Sequence, residues 1–297
     1  MADGEISAGW AGTWVLGDRR VNRMGFGSMR LTVEPDPEVA VRVLRRAVEL
    51  GVDHIDTAAF YFSPGGILDV GDGPVRYATE LIRRALTPYP ESLFIATKVG
   101  PGLLPDGQWG EAVTAAQLRH QVEENLRRLG VERLDLVNLR VFRSRDSIGE
   151  RFAALAAMRD EGLIRHLGLS AVSLAQLDEA STIAPVACVQ NSFALDLRNN
   201  AEMLRVCRER GIAFVPFFAI AGQGREKGAS EAQHAAAEAV AARHGMTAHQ
   251  VRLAWTLHQG PHVLAIPGTG DESHLLANVA AGGVRFDERD ISELGNI

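Results

Sequence analysis

Residues 114–170, TAAQLRHQVEENLRRLGVERLDLVNLRVFRSRDSIGERFAALAAMRDEGLIRHLGLS, decide the fold. A helical pattern opens at Thr114, a good N-cap residue, and stops at Gly130, where a C′ glycine belongs. Residues 134–141 read as a strand, 149–161 as a second helix closed by Gly162, and 165–170 as a second strand. One such unit is a strand covered by a helix. The question is how many times it repeats.

Working outward, strand-like runs also occupy 24–28, 52–57, 93–99, 186–191, 212–218 and 263–269. Helical patterns lie near 36–50, 75–87, 173–183 (with Ser173 as N-cap), 199–210, 231–258 and 271–281. Gly51 and Gly211 stand at two more helix ends, and Gly245 divides 231–258 in two. The strand runs are near-continuously apolar, as parallel strands buried on both faces are. Eight units predict an α/β fold, a closed (β/α)₈ barrel. An open doubly wound sheet is the alternative, but it announces itself by G-x-G-x-x-G after the first strand, and MGFGSMRL (24–31) supplies none. TWVLGDRRVNR (13–23) reads as a β-hairpin around Gly17-Asp18 that caps the barrel's bottom. No linker interrupts the chain, so 1–297 reads as one domain with 1–12 as a flexible tail.

Composition bounds the function. The 297 residues carry 31 basic and 37 acidic side chains, a net charge of −6, and are 46% hydrophobic. That balance gives no electrostatic reason to expect nucleic acid or an anionic membrane. The longest apolar run, 212–221, contains Pro216 and is too short to span a bilayer. The N-terminus lacks a signal peptide's basic flank and apolar stretch, so a cytoplasmic protein is expected. Cys188 and Cys207 read as reduced core residues, and no metal-ligand spacing stands out.

Chemistry in such a barrel sits where strands end. The polar residues at those ends are Asp56, Lys98, Asn138 with Arg140, Ser170, Gln190 and Thr269. Asn138 and Arg140 are two apart on one strand and point the same way. Of the 31 basic residues only Lys98 and Lys227 are lysines, which raises the question of what an ammonium does that a guanidinium cannot. Tyr61 is the one tyrosine in a loop just after a strand; Tyr77 falls in a helical pattern and Tyr89 at a helix end. An ammonium beside Tyr61 lowers its phenol pKa, and Asp56 beside Lys98 keeps the lysine charged. Together they read as a proton-donating triad. Asp56 or Lys98 alone reads equally well as a solvated cap.

HIDTAAFY (54–61), FIATKVG (94–100), ENLRRLGVERLDLVNLR (124–140), HLGLS (166–170), VQN (189–191) and IPGT (266–269) with His274 and Asn278 resemble the aldo-keto reductase superfamily. DLVNLRVF, CVQNSF and GIAFVPFF look most like its pyridoxal-reductase-like branch. The resemblance implies NADPH-dependent carbonyl reduction, with NADH as the other possible cofactor and a small-molecule carbonyl as substrate. It places Asp56, Tyr61 and Lys98 in the family's catalytic tetrad. Arg140 stands where a histidine is usual, and a guanidinium holds an oxygen without releasing a proton. Arg140, helped by Asn138, is therefore expected on the substrate oxygen. The alternative is a plain ion pair with Asp56 or Asp135. The resemblance also assigns Gly27, Ser28 and Met29 to the nicotinamide ribose, and Ser170 and Gln190 to the carboxamide. At residue 171, often Asn in the family, Ala171 loses one hydrogen bond. Phe217, with Phe218, lies at the nicotinamide face. Ile220, Gly222 and Gly224 approach the pyrophosphate, and Gly268, Thr269, Gly270, His274 and Asn278 the adenosine end, with Arg225 or Lys227 as further phosphate partners.

The substrate is less legible. Phe62, Trp109, Phe142 and Phe193 are candidates for an aromatic pocket wall, although aromatics near strand ends are as often ordinary packing. The Gly-rich segment 62–73 reads as a wall or lid. A Schiff-base aldolase also places a lone lysine at a barrel strand end, and a non-catalytic NADPH sensor would keep the cofactor residues while losing the tetrad histidine.

Overall fold

The computed structural model describes residues 6–34, 36–142, 146–217 and 231–295, and the side chains of all of these except 231–234. Its centre is a parallel sheet of seven strands: β1 (Phe26–Gly27), β2 (His54–Asp56), β3 (Phe94–Val99), β4 (Leu134–Arg140), β5 (Ile164–Ser170), β6 (Val186–Gln190) and β7 (Ala213–Phe214), each paired with its chain neighbour. Residues 263–265 close it. Val263 bridges Phe214 and Ala265 bridges Met24, both in parallel. The result is the expected (β/α)₈ barrel, with an eighth strand shorter than the run 263–269 predicts.

Strand parity sorts the core into two apolar clusters. Ile95, Val99, Val137, Leu139, Leu167, Leu169, Val189 and Phe214 face outward into the helices. Phe94, Ala96, Leu136, Cys188, Ala213 and Leu264 face inward. The hairpin of Thr13–Leu16 and Arg19–Asn22 inserts Leu16 and Val21 into that inner cluster, and so plugs the bottom. Asp18 at its turn ties to His166 (2.8 Å) and Arg165 of β5. A barrel of this size is filled by side chains and is not a pore. The inner face is therefore apolar through its middle and leaves polar groups to its ends, His166 at the plug and the residues of the open rim.

The helices are α1 (Pro37–Glu49), α2 (Ala78–Leu86), α3 (Ala115–Leu129), α4 (Gly149–Asp160), α5 (Leu174–Ile183), α6 (Ala201–Glu209), α7 (Glu231–His244), α8 (Ala248–His258), α9 (Glu272–Ala280) and α10 (Glu288–Leu294). Thr114 and Ser173 form capping boxes with Gln117 and Gln176, each satisfying orphan amides of the first turn. The break between α7 and α8 falls at Gly245, where the long pattern was expected to divide. No described helix is long and apolar enough to cross a membrane.

Two local expectations are corrected. The packed chain begins before residue 13, because Ala8–Ala11 form a 3₁₀ turn, Ala8 is fully buried, and its amide bonds Leu50 O at 2.8 Å. Tyr77 is not inside a helix. It belongs to a short strand, Arg76–Tyr77, paired with Phe62–Ser63, because the Gly-rich segment between them folds back as a hairpin.

Candidate active site

On β3, β4 and β6 the inner face turns polar one step above the apolar layer. Lys98 follows Ala96 by two residues, Asn138 follows Leu136, and Gln190 follows Cys188. Parity therefore aims them all into the barrel mouth. Lys98 Nζ donates to Asp56 Oδ2 at 2.6 Å and to Thr57 O at 2.9 Å. Gln190 Nε2 donates to the other carboxylate oxygen, Asp56 Oδ1, at 2.7 Å. Asp56, Lys98 and Gln190 are all buried, so the carboxylate is held by two charge-assisted bonds away from water.

Tyr61 lies on the loop after β2 with Lys98 Nζ 4.5 Å from its ring centroid. Its electrostatics correct the sequence expectation. Burial of the phenol raises its pKa, and Asp56 adds to this. The Lys98 ammonium and, more weakly, Arg140 pull it down, and the balance leaves it above the ordinary phenol value. A neighbouring cation was visible in the residue list; the depth of the phenol was not. For Lys98, burial disfavours the charged form, but the charges and hydrogen bonds of Asp56 and Tyr61 outweigh it, so the amine stays protonated above the usual lysine range.

Arg140, half-buried at the end of β4, donates from Nη1 to Ser170 Oγ at 3.0 Å and places its guanidinium 4.7 Å from the Phe217 ring centroid. It makes no ion pair with Asp56 or Asp135. Asp56 is engaged by Lys98 and Gln190, and Asp135 accepts the Ile95 amide at 2.9 Å on the outer side of the strand. Burial lowers the Arg140 pKa, with Tyr61 and Asp56 opposing that shift.

Asn138 is fully buried, its Oδ1 accepting from Cys188 Sγ at 3.1 Å. Sequence reasoning missed Cys188 as its partner and Gly168 as the reason it fits. A Cβ at residue 168 would stand 2.1 Å from Asn138 Oδ1, so only glycine leaves this amide its place. Thr57, whose carbonyl anchors Lys98, was also missed, though it directly follows Asp56.

The remaining candidates fall around this cluster. Gly27 of β1 and Gly268 close on each other backbone to backbone; a Cβ on Gly268 would meet Gly27 O at 2.3 Å. Ser28 is buried, its amide bonded to Asp56 O at 2.9 Å, and Met29 begins the next 3₁₀ turn half-buried. Thr269 is buried and accepts from the Asp271 amide at 3.0 Å. Gly270 follows it, His274 is exposed in the first turn of α9, and Asn278 is half-buried on the same helix. Phe62 is buried against Tyr77 (5.0 Å between centroids) and Trp109 (6.0 Å), whereas Trp109 keeps 40% of its surface exposed. Phe142 is half-buried; Phe193 is fully buried and stacked on Trp255. Phe218, Ile220, Gly222, Gly224, Arg225 and Lys227 lie outside the described residues. Residue 171 is the only described non-glycine position with positive φ; Ala171 sits at 56°.

The model of the aldo/keto reductase family matches residues 23–297. The chain belongs to that family. As an aldo/keto reductase it is 39% identical over 297 residues to a protein of Escherichia coli named pyridoxine 4-dehydrogenase, an alignment covering 96% of this chain and 98% of the relative. A thermostable aldo-keto reductase, crystallised with the inhibitor epalrestat, shares 28% identity and superposes with a TM-score of 0.78 over 95% of this chain and 98% of its own. A Klebsiella pneumoniae aldo/keto reductase, solved with NADP and acetate, shares the fold at 24% identity, TM-score 0.78, covering 95% of this chain and 93% of its own.

Proposed function

We propose that this aldo/keto reductase reduces an aldehyde or ketone to the alcohol with NADPH, and that Tyr61 is the general acid. The observation that carries the reading is the buried chain Gln190–Asp56–Lys98 with Tyr61 over the ammonium, at the mouth of a plugged barrel.

The residues fit a nicotinamide dinucleotide. Gln190 Oε1, Asn138 Nδ2 and Ser28 Oγ are buried with no hydrogen-bond partner, and such atoms are costly unless something satisfies them. They offer an acceptor and donors of the kind a carboxamide and a ribose need. A reduced nicotinamide bound along this rim supplies the hydride. This chain's own groups handle the oxygen. Arg140 holds the carbonyl oxygen with N–H donors and opposes its developing negative charge. The Tyr61 hydroxyl gives that oxygen its proton, and the phenolate left behind lies beside the Lys98 ammonium until solvent reprotonates it. Asp56 fixes that ammonium in place.

The same geometry argues against a Schiff-base aldolase. Such a lysine needs a free neutral amine, and Lys98 is held charged by a carboxylate at 2.6 Å. The partly exposed ring of Trp109 against Phe62, together with the pyridoxine 4-dehydrogenase relative, supports a pyridoxal-like aromatic aldehyde as the substrate class.

The test is consumption of NADPH and of NADH with pyridoxal, other aldehydes, quinones and ketones. Tyr61→Phe is expected to lower kcat by about 10²- to 10⁴-fold with cofactor affinity unchanged. Unaltered turnover in that variant would remove Tyr61 from the mechanism.

A further inference from the structure

The charges at the barrel mouth do not cancel. Asp56 contributes −1, Lys98 +1 and Arg140 +1, with Tyr61 neutral, so these described residues together carry one net positive charge. Among the described residues the titratable groups beside Arg140 all have partners or are themselves cations or neutral. Both oxygens of Asp56 are engaged by Lys98 and Gln190, Tyr61 holds its proton, and Lys98 is a cation itself. Glu111, whose Oε1 accepts from the Phe142 amide two residues beyond Arg140, is paired with Arg151 at 2.6 Å. Among the described residues no carboxylate lies within ion-pair distance of Arg140. Of the five guanidinium N–H groups, one is bonded to Ser170 Oγ, which with the Phe217 face below fixes the fork's direction. Half-burying a cation without a counter-charge is unfavourable unless a ligand brings that charge.

Resting on the carbonyl-reductase reading above, we infer that Arg140 selects carbonyl substrates bearing an ionised oxygen next to the carbonyl, a phenolate ortho to an aldehyde or the carboxylate of an α-oxo acid. Either places two oxygens, one of them charged, along one edge of a planar guanidinium, the geometry a two-pronged donor recognises best. A neutral imidazole at residue 140 leaves the mouth uncharged and has no such preference. In that arrangement Arg140 both positions the carbonyl and neutralises the neighbouring oxyanion, and Tyr61 remains the proton donor.

The experiment compares matched pairs of substrates: salicylaldehyde against its O-methyl ether, and phenylglyoxylate against its methyl ester. For the wild type, kcat/KM is expected to favour the ionised member by about ten- to hundredfold, the weight of a hydrogen bond to a charged group. The salicylaldehyde profile is expected to rise with pH through the substrate's own phenol ionisation while that of the ether does not. Whichever pair shows the preference identifies the oxyanion. In Arg140→Gln the ratio is expected to collapse toward one, whatever the absolute rate. A wild-type ratio near one in both pairs, or a ratio that survives Arg140→Gln, overturns the inference. Should that variant not fold, the two wild-type pH profiles decide alone: parallel profiles overturn it. Calorimetric binding of benzoate against benzamide to the wild-type protein needs no turnover. Tighter benzoate with no reduction of any carbonyl therefore counts against the reductase reading and for the anion preference, and equal affinities count against the preference itself.

Discussion

Replacing Asp56 by Asn removes one charge from the centre of the site and leaves its shape intact. Both members of the Asp56–Lys98 pair are 4% exposed at their side chains, so Lys98 then keeps only uncharged acceptors, Thr57 O among them. Breaking a buried pair on one side costs about 3–5 kcal/mol because the surviving charge is stranded. Against a typical total of about 5–15 kcal/mol that is a large loss, and it corresponds to a fall in Tm of roughly 6–20 °C. The pH dependence separates this cause from a packing defect. In the wild type Lys98's folded pKa is raised, so the pair's contribution is fully present below the unfolded lysine value of about 10.4 and is lost as pH rises through the folded one. In Asp56→Asn burial acts without its largest opponent and is expected to push the folded pKa below the unfolded one, so the penalty is carried at neutral pH and relieved above about 10.4. The measurement is urea unfolding of both proteins at neutral pH and again above the lysine range. The midpoint gap is expected to be wide at the first and narrow at the second. A neutral-pH difference under about 1 kcal/mol, or a gap that does not close, would show that Lys98 is not held by this carboxylate.

Burial keeps the Tyr61 phenol protonated above its ordinary value of about 10, and the acid form is lost only as pH rises through that raised value. Reduction of an aldehyde with no ionisable group should therefore hold level to about pH 9, and an alkaline limb in kcat/KM below that would contradict the assignment. Ala171 pays for a left-handed backbone at φ 56°, so Ala171→Gly is expected to raise urea stability by about 0.5–1 kcal/mol; a loss of stability would mean the side chain supplies more packing than its conformation costs. Leu16 plugs the barrel floor at 2% exposure, and Leu16→Ala is expected to cost about 2–5 kcal/mol by urea titration, a value near zero showing that the hairpin is dispensable.

The barrel was legible because its signals are local and repeat. Thr114 and Gly130 mark the ends of a helix whatever lies around it, and the alternation of Phe94, Ala96 and Lys98 on one face follows from strand geometry alone. The strand-end residues were legible for the same reason, since a parallel barrel delivers every strand's last inward side chain to one rim. What the sequence concealed depends on contacts between distant positions. Gln190 reaches Asp56 across 134 residues of chain, Asn138 fits only because Gly168 opposes it with no side chain, and the direction of the Tyr61 shift is set by how deeply its phenol lies. A count of neighbouring cations argues for an acidic phenol; burial reverses the sign. That reversal changes how the proton transfer must be understood. A phenol already acidified in the resting site would be partly ionised and less able to donate, whereas a buried, protonated one is in the donating form at every physiological pH. In the proposed mechanism its transfer becomes favourable only when charge develops on the substrate oxygen between Tyr61 and Arg140. On that proposal the cations act on the product of the transfer, the phenolate beside Lys98, and leave the resting acid intact.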